Sequence, residues 1–202
     1  MTLQRDRVFW TVGFQVAIIN IYLGGFGPAQ PLLRAQQHTS LTVAGLHGTS
    51  MGIAAILAGF VNPHLTHRFG RQITSWIGFA FFCFGVLMFV VCPPVLLTLL
   101  ATLIGGFGVS TIINTMVTQL SHHFPNDASD AVSQASGISS GGYIIGTLSV
   151  GAIASTTLSW RLGLLSVIPL SLLLYFYARP HISKEHVPHE DGPERGAMSL
   201  KF

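Results

Sequence analysis

Apolar residues fall in six long blocks, roughly 8–32, 43–62, 72–92, 94–120, 131–157 and 161–178. A helix needs about 20 mostly apolar residues to cross a bilayer, and each block is close to or above that length. None carries Asp, Glu, Lys or Arg deep inside it. A charge at a helix centre costs about 2.5 kcal/mol or more on insertion, so the omission supports each span. The pattern predicts an all-α membrane protein with six transmembrane helices. The blocks at 94–120 and 131–157 are long, so they are expected to tilt or to project into the cytosol. The first block is too long for a signal-peptide core and lacks a small-residue cleavage site, so it is expected to stay in the mature protein.

Composition points the same way. Only 8% of residues are charged and 50% are hydrophobic, against about 25% charged in an ordinary soluble domain. Too little polar residue is present to cover a water-facing surface, so lipid is the expected solvent. A formal charge of +3 is small, and no nucleic-acid partner is expected. The basic residues instead report orientation. Arg5, Arg7, Arg68, Arg71, Arg179, Lys184, Arg195 and Lys201 fall on one side, and Arg34 and Arg161 on the other. That bias places both termini in the cytoplasm of a multi-pass protein of the plasma (inner) membrane. The 121–130 loop has Asp127 and Asp130 but no basic residue, and acids weigh little in the rule. Cys83 and Cys92 lie nine residues apart, about 13 Å along a helix, beyond disulfide reach. Residues 179–202 lose the periodicity and gain prolines and mixed charge, as a disordered cytosolic tail does. His181, His186 and His189 beside Glu185, Glu190 and Asp191 are expected to be solvated tail, so neither a metal nor a cofactor is implied.

Two short strings repeat at nearly one offset. GGFG occurs at Gly24–Gly27 and Gly105–Gly108, and Ser-Trp at Ser75-Trp76 and Ser159-Trp160. The matched offsets suggest a three-plus-three repeat, the second copy inverted because each unit has an odd number of spans. Inverted repeats are characteristic of secondary transporters. The segment GFVNPHLTHRFGRQ then resembles the loop between helices two and three of the major facilitator superfamily, whose pattern is roughly G-x-L-A-D-R-x-G-R-R. Leu65, Arg68, Gly70 and Arg71 match; Pro63, His67 and Gln72 depart. LSWRLGLL resembles the family's opening of helix six. TLIGGFG resembles helix four, with Thr102 where arginine is frequent, and SGGYIIGT resembles a glycine-rich helix-five motif, with Thr147 in place of proline. The resemblance covers 1–178 and implies one six-helix half-bundle of a twelve-helix permease.

It also implies roles. The loop at His67, Arg68, Gly70 and Arg71 would act as a conformational latch between two halves. His67 stands where the family has an acid, so the latch is either weakened or responsive to pH near neutrality. Pro63 lacks an N–H and is expected to end helix two. Gly70 is expected to allow a tight entry to helix three. Helices one, four and five line the family's central cavity, and polar side chains on them are expected to face it. These are Gln15, Asn20 and Tyr22, then Asn114 and Thr118, then Gln134 and Tyr143. Ser110, Thr111 and Thr115 extend the stripe on the fourth span, and Ser129, Ser133, Ser136 and Ser140 that on the fifth. Small hydroxyls also bond back to their own helix, so packing is the alternative for them. Gly48/Gly52, Gly137/Gly141 and Gly142/Gly146 offer smooth faces for close helix packing.

The expected function is transport of a small solute by alternating access, without enzymatic activity. The second half would be another copy, another polypeptide, or lost by truncation. A non-transporting membrane subunit or truncated remnant is the alternative. A different class, an intramembrane serine protease, is raised by GISSG at Gly137–Gly141. It needs a strand-to-helix elbow and a deep histidine, for which only His47 qualifies.

Overall fold

The computed structural model describes residues 5–92 and 94–179. Its helices are α1 (Arg7–Gln37), α2 (Leu41–Phe69), α3 (Arg71–Val91), α4 (Val95–His123), α5 (Ala128–Ala154), α6 (Arg161–Leu165) and α7 (Val167–Ala178). Five of them and the α6–α7 pair are long and apolar enough to cross a membrane, giving six spans. Nearly all of the tail expected from 179 onward, with its three histidines, lies outside the described residues.

Local chemistry sets most helix ends. Asp6 Oδ1 accepts from the Phe9 amide at 3.0 Å and starts α1. Ser40 does the same for Val43 at the start of α2. His38 takes a left-handed turn (φ 52°) and closes α1. Pro169 cannot donate to the Leu165 carbonyl, and the last span breaks there into α6 and α7.

One expectation needs correction. Helix two does not stop at Pro63; α2 runs through it to Phe69. The missing donor costs one bond, to the Gly59 carbonyl, on a face where nothing packs against Gly59. The bonds beyond it continue to Gly70 N, which donates to the Thr66 carbonyl at 2.8 Å. The expected loop shrinks to Gly70 alone, which ends α2 and caps α3. At φ 83° and ψ 160°, its backbone lies in a region that essentially only glycine occupies.

Helix order in space follows from backbone approach. Along α1 and α5 the facing positions rise together: Gly13 meets Ile138, Gly24 meets Tyr143, and Gly25 meets Gly146 and Val150. The two helices are therefore parallel neighbours. α2 and α4 also run parallel, with His47 beside Thr98 and Ala54 beside Gly106. α3 and α4 are antiparallel, with Gly85 against Gly105 and Gly78 against Thr111. Between α1 and α3 the core is aromatic. Tyr22 meets Phe82 edge-on at 5.4 Å, and Phe26 meets Phe89 at 5.6 Å. Trp76 of α3 contacts Tyr175 of α7 at 5.5 Å. α2 is held along a narrow line, since its buried residues are His47, Ala54, Ala58 and Asn62.

The Gly70 geometry gives a direct test. Gly70→Ala is expected to destabilise the α2–α3 junction by about 1–3 kcal/mol. The thermal unfolding midpoint of the detergent-solubilised chain should fall. An unchanged midpoint would show that the junction does not hold this backbone.

Candidate functional site

Polar side chains inside a bilayer need partners, so their contacts show where this bundle departs from simple packing. They gather at both ends and at one place in the interior.

At the end that carries the N-terminus, α1, α4 and α5 are tied together. Asp6 caps α1 with one oxygen and meets His123 Nε2 at the end of α4 with the other. Arg5 Nε donates to Gln134 Oε1 of α5 at 2.9 Å. Beside them a cavity of about 290 Å³ is lined by Asp6, Arg7, Val8, Thr11, Gln72, Tyr177 and Ala178.

At the opposite end, Arg161 donates to the Phe89 and Val90 carbonyls at the C-terminus of α3 and to Gln36 Oε1 of α1. Its guanidinium also lies over the Trp160 ring, 5.0 Å from the centroid. A cation there meets the negative end of the α3 dipole. Close by, His47 contacts the Ala44 carbonyl and Thr98 Oγ1, and Gln37 Nε2 donates to the same Thr98 oxygen at 3.2 Å. Ser50 Oγ donates to the Leu99 carbonyl at 2.9 Å, a second tie between α2 and α4.

The expected cavity residues do not all share one surface. Gln15 and Tyr22 are both buried against α3 rather than turned to an open face. Ser75 Oγ donates to Gln15 Oε1 at 3.0 Å, and the Tyr22 ring packs on Phe82. The physical reason is rotation. Seven residues make almost two turns, so the two side chains do share a face, but that face looks at α3. Asn20 is half-buried. Asn114 and Thr118 are exposed on α4, while Thr111 and Thr115 of the same stripe turn inward. Thr118 bonds the Asn114 and Thr115 carbonyls, and Thr115 bonds that of Thr111. Gln134 is half-buried beside Arg5, and Tyr143 is 49% exposed. In the latch segment His67 and Arg68 are exposed, Arg71 is half-buried and Gly70 is buried. Arg68 lies over the Phe69 ring at 5.3 Å.

The protease string fails its structural requirement. Gly137–Gly141 lies inside continuous α5, and Ser139 Oγ donates to the Ser136 carbonyl at 2.7 Å. Sequence reasoning missed the role of Thr98 and Gln37. A histidine in an apolar span was the available signal, since such a ring needs neighbours that bond it.

Six apolar spans, with no strand among the described residues, define an integral membrane protein of transporter type. The Major Facilitator Superfamily model matches residues 11–201, and the chain belongs to that family. The family's members are transporters rather than enzymes. No curated protein matches the chain.

The Arg161 contacts predict a measurable cost. Arg161→Ala leaves the α3 carbonyls and Gln36 without this donor and is expected to cost about 1–3 kcal/mol. Thermal unfolding in lipid nanodiscs should show a lower midpoint. Arg161→Lys should recover only part, because one ammonium cannot reproduce the planar fork. Equal midpoints for all three proteins would show that the Arg161 contacts contribute nothing to stability.

Proposed function

We propose that the chain is one half of a permease that moves a small solute by alternating access, paired with a second six-helix half or a second copy. The observation that carries this reading is the exposed amide of Asn114 on α4. It sits nine residues before the end of α4, about 13 Å along the helix. Hydrocarbon offers an amide no partner, so an aqueous cavity or a second half is the favourable neighbour. Thr118 and Asn20 are the residues nearest in character, and Tyr143 and Gln134 extend the candidate surface on α5.

The glycines support the same reading. A side-chain carbon at Gly45, Gly48, Gly52, Gly137 or Gly141 would meet nothing within 4 Å. These open glycines lie on α2 and α5. The internal repeat gains support as well. The first GGFG string faces α5 and α6, and the second faces α2 and α3. A three-plus-three repeat exchanges those partners. His67, Arg68, Gly70 and Arg71 are proposed as the latch, with both termini in the cytoplasm of the plasma membrane.

Orientation is tested by single cysteines in a cysteine-free protein. His38→Cys should react with an impermeant thiol reagent in intact cells, and Thr66→Cys only after permeabilisation. Labelling of position 66 from outside would reverse the topology.

Assembly and transport are tested together. The purified chain should self-associate or require a second half, by mass measurement in detergent, and a monomer should give no solute uptake in liposomes. In an assembled, active transporter, Arg71→Ala should lower uptake and leave membrane insertion intact. A monomer that catalyses flux would overturn the half-transporter reading, and full uptake by Arg71→Ala would remove the latch.

A further inference from the structure

His47 is a buried ionisable group that the transport reading leaves unused. It is 1% exposed, in the second turn of α2. Its Nδ1 lies 3.2 Å from the Ala44 carbonyl oxygen, and its Nε2 lies 2.9 Å from Thr98 Oγ1. A carbonyl oxygen only accepts, so Nδ1 carries a proton in either charge state of the ring. Nε2 is therefore the position that gains or loses one.

The partner at Nε2 suits both conditions. A threonine hydroxyl donates one bond and accepts two. Thr98 Oγ1 also lies 2.9 Å from the Val95 carbonyl oxygen and accepts from Gln37 Nε2. With a neutral ring, the Thr98 hydroxyl donates to Nε2. With a charged ring, Nε2–H donates to Thr98 Oγ1, and the hydroxyl proton turns to the Val95 oxygen. No heavy atom has to move. Both ring nitrogens, the hydroxyl and the Gln37 amide nitrogen stay bonded throughout. A fixed donor or a fixed acceptor at the same place would hold the ring in one state.

We propose that His47, with Thr98 as its reversible partner, is a proton-binding site in the half-bundle, and that proton occupancy sets how firmly this end of α2 is held to α4. The surroundings leave the task to that hydrogen-bond chain. From α1 comes Gln37, from α3 the edge of the Phe89 ring at 6.2 Å, and from α4 Thr98. Other titratable or charged groups described at this end are Arg34, His38 and Arg161. Arg34 Nε donates to the Thr39 carbonyl, His38 is exposed, and Arg161 is turned to the α3 carbonyls and Gln36. The described carboxylates belong to the opposite end, where Asp6 meets His123 and Asp127 and Asp130 open α5. Protonation adds only the Thr98–Val95 bond, which lies within α4, and it places a charge on a buried ring with no described carboxylate at this end, so the charged state holds α2 to α4 less firmly than the neutral one. α2 is sensitive to that cost because few of its residues are buried. On the orientation proposed above this end is external, yet the site depends only on its hydrogen bonds and stands whichever side it faces.

Nitrogen NMR of the 15N-histidine-labelled chain in lipid nanodiscs tests this, with His47 assigned by its loss in His47→Gln. The neutral ring should be the Nδ1–H tautomer, and Nε2 should take up a proton between about pH 8 and about pH 5. Thr98→Val should lose that step within the window, and Thr98→Ser should keep it. Hydrogen-exchange protection of the first turns of α2, corrected for intrinsic pH dependence, should fall about fivefold on acidification, because a charged ring is costlier to keep buried than to expose. That fall should be absent in His47→Gln. An Nε2–H neutral tautomer, a ring that stays neutral across the window, or unchanged protection in the native protein would overturn the proposal. Tautomer and titration of the native chain decide the matter if a variant fails to fold.

Discussion

Lipid gives apolar side chains no reason to prefer one another, so this bundle depends on how closely its helix backbones approach. Glycine sets that distance. A side-chain carbon at Gly142 or Gly146 would overlap the carbonyls of Ala17 and Ile21, which fixes the spacing of α1 and α5. Gly78, Gly85 and Gly108 serve α3 and α4 in the same way, and Gly106 receives Met51 and Ala54 of α2. Close backbones bring many weak dispersion contacts into range at once. The aromatic layer of Tyr22, Phe26, Phe82 and Phe89 then fills the wider space between α1 and α3.

Polar contacts add direction to that packing. Arg161 joins α3 and α1 at one end, and Asp6 with His123 joins α1 and α4 at the other. Arg161 reaches carbonyls that the end of α3 leaves unsatisfied, and Asp6 caps the start of α1 with its other oxygen. Interior polar atoms are treated differently. Gln15 Nε2, Thr74 Oγ1 and Thr111 Oγ1 are buried without a protein partner. Such atoms are ordinarily satisfied by ordered water. They mark the region between α1, α3 and α4 as the polar part of an otherwise apolar core.

The glycines divide into two populations with different consequences. Those on the α1–α5 and α3–α4 contacts are consumed inside this chain. Those on α2 and the outer side of α5 are unused by it. In α5 both sets occur, Gly137 and Gly141 open and Gly142 and Gly146 closed. One helix thus serves an internal contact and leaves a second smooth face free. Hydrocarbon packs against an open glycine as readily as against a leucine, so the free faces carry no penalty in lipid.

Much was legible without coordinates because membrane insertion is written in composition and length. Six blocks of sufficient length with no charge deep inside them read as spanning helices, since hydrocarbon forces every backbone donor and acceptor into an internal bond. Family motifs added the connection between helices two and three and the Trp160-Arg161 opening of the last span. What the tertiary structure decided was rotation and contact. Periodicity puts Gln15 and Tyr22 on one face of α1 but does not say which neighbour that face meets; α3 occupies it. The same limit split the α4 stripe, with Thr111 inside and Asn114 outside, one turn apart. It also hid the meeting of Gln37, His47 and Thr98, which lie on three helices and have no shared motif. Even Pro63 read locally as a stop, yet one lost bond on an open face is too small a cost to end a helix held on its other side. Apolar periodicity is weak in a span that faces lipid, so the direction of each side chain is set by the neighbouring backbone and only appears once the helices have packed.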